Sequence, residues 1–101
     1  MKVVILPGAH RAFRAFVRER AEQAGGSAAE KLVDRFRRTF HLLAKTELGS
    51  RRTWAPQQYK FIPVDVFHVT WRPDAAQPDV RLVVRIVRQR KHPGNITRGL
   101  Q

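Results

Sequence analysis

Residues 29–49 read AEKLVDRFRRTFHLLAKTELG. Ala29, Leu32, Val33, Phe36, Phe40, Leu43 and Ala44 recur at steps of three and four, the spacing that lines up side chains on one side of an α-helix. Arg35, Arg37, Arg38, His41 and Lys45 fall off that stripe and form a basic face. The pattern predicts an amphipathic helix that fades at Leu48 and stops at Gly49. Ahead of it, Ser27-Ala28-Ala29-Glu30 has the form of a capping box, in which the serine hydroxyl and the glutamate satisfy free amides of the first turn. Further back, Ala9, Phe13, Phe16, Val17, Ala21 and Ala24 trace a second helical stripe, with Arg11, Arg14, Arg18, Glu19 and Glu22 outside it. Gly25-Gly26 supply the turn between the two. Two such helices joined by a short turn make an antiparallel hairpin, and each stripe needs an apolar surface to cover it.

That surface is predicted on either side of the hairpin. Val3 to Leu6 is short, rich in β-branched residues and ended by Pro7-Gly8, which reads as a first strand buried on both sides or nearly so. After the loop Arg51–Pro56 the period becomes two. Tyr59, Phe61 and Pro63 alternate with Lys60, Ile62 and Val64; Phe67, Val69 and Trp71 alternate with Val66, His68, Thr70 and Arg72. Turn residues fill Pro73 to Asp79, and Val80 to Val87 alternates again. The order is strand, helix, helix, then a three-stranded antiparallel meander. This is an α+β fold with the hairpin laid on one face of the sheet. Phe61, Phe67, Val69, Trp71, Leu82, Val84 and Ile86 are the expected inward set. Residues 1–92 read as a single domain and 93–101 as a basic tail.

Composition narrows function. The 101 residues carry 20 Lys and Arg against 8 Asp and Glu, a formal net charge of +12, and 15 of the cations are Arg. So large a surplus works against compactness by self-repulsion, and an anionic partner would relieve it. There is no cysteine, which removes disulfide scaffolds, thiolate metal sites and thiol nucleophiles. The longest early apolar run is four residues, too short for a signal sequence or a membrane span, so a cytoplasmic protein without a membrane partner is expected. His10, His41, His68 and His92 sit on different elements without metal-ligand spacing, the carboxylates are scattered and there is no glycine-rich phosphate loop. No metal and no cofactor are expected.

The face turned away from the helices is predicted to carry Lys60, Ile62, Val64, Val66, His68, Thr70, Arg72, Arg81, Val83, Arg85 and Val87: an apolar floor with cations standing on it. Arg72, Arg81, Arg85, Arg88 and Lys91 are therefore candidates for binding a target or a nucleic acid. In Arg51-Arg52-Thr53-Trp54, cations flank an aromatic that can stack on a base or close over the sheet edge. One metal-free chemistry suits such a face, RNA cleavage through the 2′-hydroxyl. It needs a base, cations for the crowded phosphorane and a donor for the leaving oxygen. Lys60 and His68, expected on neighbouring strands with one facing, are the candidates for it, with Arg85, Arg88 or Arg90 as the cation.

Taken in order, Met1–Pro7, Ala29–Gly49, Tyr59–Val64, Phe67–Trp71 and Val83–Arg90 resemble the RelE/ParE superfamily of bacterial toxins over nearly the whole chain. The resemblance implies the toxin of a type II toxin–antitoxin pair that inhibits growth and is neutralised by an acidic cognate antitoxin. It also implies one of two targets: the ribosome, where RelE-like members cut mRNA, or DNA gyrase, which ParE-like members inhibit without known catalysis. The second helix and Pro63-Val64 resemble the ParE branch. For the nuclease branch, Lys60 matches one strand cation and Arg90 or Arg88 the last-strand arginine. Ile62 stands in place of a second cation, His68 in place of an arginine, and Ile96 lies near the position of a late tyrosine. Lys60, His68 and Arg90 form the catalytic set if that branch applies. A basic sheet face that simply binds nucleic acid is the third reading.

Overall fold

The computed structural model describes residues 1–89. Strand β1 (Lys2–Ile5) leads directly into helix α1 (Pro7–Ala24), with Pro7 in the first turn, where a missing N–H costs nothing. Helix α2 (Gly26–Leu43) follows, and then strands β2 (Lys60–Val64), β3 (Phe67–Pro73) and β4 (Val80–Arg88). The four strands form one sheet in the order β1-β4-β3-β2. The β2–β3 and β3–β4 pairs are antiparallel, as the meander requires, while β1 runs parallel to β4 from Lys2↔Val80 to Ile5↔Val83. The expected fold class holds. The predicted tail 93–101 lies outside the described residues, as do Arg90 and Lys91.

Both helices pack on one face of the sheet. Leu32, Phe36 and Leu43 of α2 are fully buried against Ile62, Val64, Phe67, Val69, Trp71, Val83 and Ile86, with Phe13, Phe16 and Val17 of α1 closing the rim. Phe36 is the keystone. Its ring meets Phe13 edge-on at 5.1 Å and Phe67 at 5.8 Å, so one side chain joins α1, α2 and β3.

Four sequence expectations change. β1 is half-buried, because it is a sheet edge with a strand on one side only. The capping box does not form. Gly25, at φ +89°, both ends α1 and starts α2, so Ser27 already lies inside the helix and makes no cap. Gly25 donates its N–H to the Ala21 carbonyl and accepts from the Ala29 N–H, turning the chain within one residue. Helix α2 ends at Leu43 rather than at Leu48, where a guanidinium from β4 takes the last carbonyls. Finally, the inward and outward sets of β2 and of the first half of β4 are exchanged, as the site geometry makes plain.

The α2–β2 connection wraps around the edge of β2. Trp71 Nε1 donates to the Leu48 carbonyl at 2.9 Å on the helix side. Ser50 then pairs with Phe61 as a bridge on the sheet edge, and beyond it Arg52 and Trp54 lie against the Phe61 ring. The crossing point is Gly49, at φ +95°, where an added Cβ would stand 2.9 Å from the Phe61 carbonyl oxygen. Gly49→Ala is expected to cost at least about 1–2 kcal/mol from the left-handed backbone alone. The urea midpoint of the variant should fall while the slope of the transition is unchanged.

Candidate functional site

The β2–β3 hairpin closes through a two-residue turn, Asp65-Val66, so that Val64 faces Phe67 and Lys60 faces Trp71. Directly opposed residues of an antiparallel pair share a face. Lys60, Ile62 and Val64 therefore point to the helix side with Val69 and Trp71, while Phe61 and Pro63 join Thr70 and His68 on the outer side. In β4 the register shifts between Thr70 and Trp71: Arg85 faces Thr70 but Val83 faces Trp71, leaving Val84 as the extra residue of a bulge. The bulge turns Arg81 and Val83 inward and Leu82 outward.

These registers separate the predicted site residues. Lys60 and His68 do not share a face. The Lys60 ammonium lies 3.3 Å from Glu47 and 5.6 Å from the centre of the Trp71 ring, on the helix side. Arg81, predicted on the open face, is only 4% exposed. It stacks over Trp71 at 5.2 Å and donates from Nη1 to the carbonyls of Leu43 (2.5 Å) and Thr46. Its charge serves the end of α2, where the helix dipole favours a cation. Arg88 also turns to the helix side, opposite Phe67; it pairs with Glu19 of α1 and lies over the rings of Phe16 and Phe67. Arg72 and Arg85 stay on the outer face, and among the described residues neither has a carboxylate within ion-pair distance. Arg90 and Lys91 lie outside the described residues.

On that outer face the residues form two neighbouring features. The first follows the free edge of β4. Strand β1 covers β4 only as far as Val83, where the Leu6 N–H donates to the Val83 carbonyl. Beyond it a cleft of about 460 Å³ extends between Gly8, Ala9 and Ala12 of α1 and Tyr59, Arg72 and Arg85. Two guanidiniums, a phenol and an unpaired strand edge suit an anionic, extended partner. Tyr59 was not among the candidate site residues; it shares the alternation of Phe61, which the tight Asp65-Val66 turn places outward.

The second feature is His68 with Thr70. His68 is 6% exposed and Thr70 fully buried, and neither His68 Nδ1 nor Thr70 Oγ1 has a hydrogen-bond partner. Burial holds the imidazole below its ordinary pKa, and the positive charge of Arg52 pushes in the same direction. At neutral pH His68 is uncharged. Among the described residues no three His, Asp or Glu side chains come together in a way that would hold a metal, and no helix is long and apolar enough to cross a membrane.

No family model and no curated protein matches the sequence. Among solved structures the chain is similar to one from the "Chromosomal ParDE TA system from P. aeruginosa", with a TM-score of 0.73 and 16% identity, over 89% of this chain and 97% of that one. The strand, helix hairpin and meander found here thus make up a fold shared almost end to end with a chain of that ParDE structure.

Proposed function

We propose that the chain is the toxin of a type II toxin–antitoxin pair and that it stops growth by binding its target, DNA gyrase, rather than by cutting mRNA. The observation that carries the choice is sidedness. A base and a cation for 2′-hydroxyl attack must meet at one phosphate, yet Lys60 lies on the helix side against Glu47 and Trp71 while His68 lies on the outer side. Arg88, one candidate for the last-strand cation, is engaged with Glu19. What remains open to a partner is a binding surface: Arg72, Arg85, Tyr59 and the β4 edge, together with Arg11, Arg14 and Arg18 along α1, which have no carboxylate partner among the described residues. An acidic antitoxin would relieve the +12 charge at that surface.

Induced expression tests the reading. Growth should stop, an SOS reporter should rise, and Lys60→Ala should remain as toxic as the native chain. Co-expression of the acidic product of a neighbouring reading frame should restore growth. Rescue of growth by Lys60→Ala with a silent SOS reporter and cut mRNA would reverse the choice of target. Harmless expression at high level would remove both toxin modes and leave a basic binding module.

A further inference from the structure

We infer that the loop from Arg51 to Gln57 is a second binding site, separate from the β4 cleft, and that it takes an unpaired nucleotide of a single-stranded nucleic acid. A cavity of about 380 Å³ opens among Arg51, Arg52, Thr53, Ala55 and Gln57. That size falls within the range of small-ligand sites, about 300–1,000 Å³. None of these residues lines the β4 cleft.

The loop is held in shape. At its base Ser50 and Phe61 exchange backbone hydrogen bonds of 3.1 and 3.0 Å. Beyond that bridge the Ala55 N–H donates to the Arg52 carbonyl at 3.2 Å and the Tyr59 N–H to the Pro56 carbonyl at 3.1 Å, so two successive turns set the backbone. Arg52 Nη1 donates to Ser50 Oγ at 2.6 Å, and its guanidinium lies 6.0 Å from the centre of the Phe61 ring. The Trp54 ring meets that same ring at 5.3 Å. Phe61 is itself 1% exposed, so one fixed ring positions both a guanidinium and an indole. Trp54 nonetheless stays 37% exposed, which leaves aromatic surface for a ligand.

Charge along the loop has one sign. From Leu48 to Val64 there is no carboxylate, and the cations are Arg51, Arg52 and Lys60. Lys60 turns to the helix side against Glu47, whereas Arg51 and Arg52 have no carboxylate within ion-pair distance among the described residues. Arg51 is exposed. Apart from the bond to Ser50, the N–H groups of Arg52 have no partner among the described residues, and they suit the paired oxygens of a phosphate. Guanidiniums beside an accessible indole match the two halves of a nucleotide, the phosphate and the flat base. The Thr53 hydroxyl and the Gln57 amide can each donate and accept at a base edge. An acidic peptide supplies the charge alone, and a duplex keeps its base faces inside the stack, so both lack what Trp54 would hold.

Fluorescence anisotropy of labelled oligothymidylate and oligouridylate, each of about twelve nucleotides, tests the site on the purified full chain. Trp54→Ala should weaken single-strand binding about tenfold or more, while Trp54→Phe, which keeps a stacking ring, should stay within about threefold of the native chain. Because Trp54→Ala also uncovers Phe61, Arg51→Ala at an exposed position is the second variant. It should weaken binding and lower the slope of log K against log salt by about 0.7. Strand binding should quench tryptophan emission, and Trp54→Phe should remove that quench, since Trp71 is only 1% exposed. The strand that binds more tightly identifies DNA or RNA as the source, and either order upholds the site. Single-strand affinity that is absent, or unchanged in Trp54→Ala, would overturn it. So would an unchanged salt slope in Arg51→Ala, or an equal loss of duplex affinity in Trp54→Ala. An equal loss of poly-glutamate affinity in that variant would give the loop to an acidic protein instead. Strand binding and growth arrest are separate readouts, so the loop site and the gyrase reading can each fail without the other.

Discussion

Phe36→Ala will cost about 3–5 kcal/mol of folding free energy. The residue is 1% exposed and its ring touches Phe13, Phe40 and Phe67, so truncation removes buried apolar area and leaves a cavity at the junction of both helices with the sheet. The rings of Phe13, Phe40 and Phe67 are held by their own elements and cannot fully collapse into that space. Domains of this size have total stabilities of about 5–15 kcal/mol, so the variant will sit near the edge of folding. Thermal unfolding followed by circular dichroism should show Tm lowered by about 12 °C or more. Phe36→Leu should recover most of the loss, because it refills much of the volume. A shift below about 4 °C for Phe36→Ala would mean that the hairpin does not hang on this ring.

Asp65→Ala will be the most damaging change at the surface, with a loss of about 2–3 kcal/mol. One carboxylate does several jobs. It accepts from Arg20 of α1 at 2.8 Å, lies 3.4 Å from Arg35 of α2 and accepts the N–H of Val66, while its backbone holds φ +56° in the β2–β3 turn. It thus pins the tip of that hairpin to both helices. The Arg35 contribution is small, because that side chain is 61% exposed and water screens it. Alanine loses the ion pairs and also tolerates the left-handed backbone poorly. Asp65→Asn keeps the backbone preference and one acceptor oxygen, and should cost about half as much.

The same carboxylate sets a pH dependence. The hydrogen bond from Arg20, outweighing the opposing effect of burial and helped by the Val66 N–H, holds the Asp65 carboxyl below its ordinary value of 3.8. A group whose pKa is lowered by folding contributes stability that is fully present above its unfolded value and is lost as the pH falls through the folded one. Acid unfolding of the native chain should therefore steepen below about pH 3.8, and Asp65→Asn should flatten that limb. An identical acid limb in both proteins would assign the titration elsewhere.

The helices and the order of strands were legible because their apolar residues repeat against a strongly charged background. Phe36 and Leu43 stand out against Arg35, Arg37 and Arg38 as a stripe that only a helix explains. The facing of β2 was not legible, because Phe61, Ile62 and Val64 are apolar on both sides and offer no contrast from which to read a period of two. Only the turn length decides it, and Asp65-Val66 makes that turn one residue too short for Phe61 to stand beside Phe67. In β4 the run Leu82-Val83-Val84 hides a bulge for the same reason. From these two shifts followed the separation of Lys60 from His68 and the burial of Arg81. Asp65 was one of eight scattered carboxylates in the sequence, and only the folded hairpin brings Arg20 and Arg35 to it.

The parallel pairing of β1 with β4 joins residues 2–5 to residues 80–83. A chain emerging from the ribosome amino end first therefore exposes Val3, Val4 and Ile5 long before their only sheet neighbour exists. Closure must await the synthesis of β4, about 75 residues later in the chain, and such long-range pairing is slow. Incomplete translation products that stop before β4 lack the strand that joins both edges of the sheet, and with it Arg81, Arg85 and the cleft. The joined sheet and its cleft form only once β4 has been made.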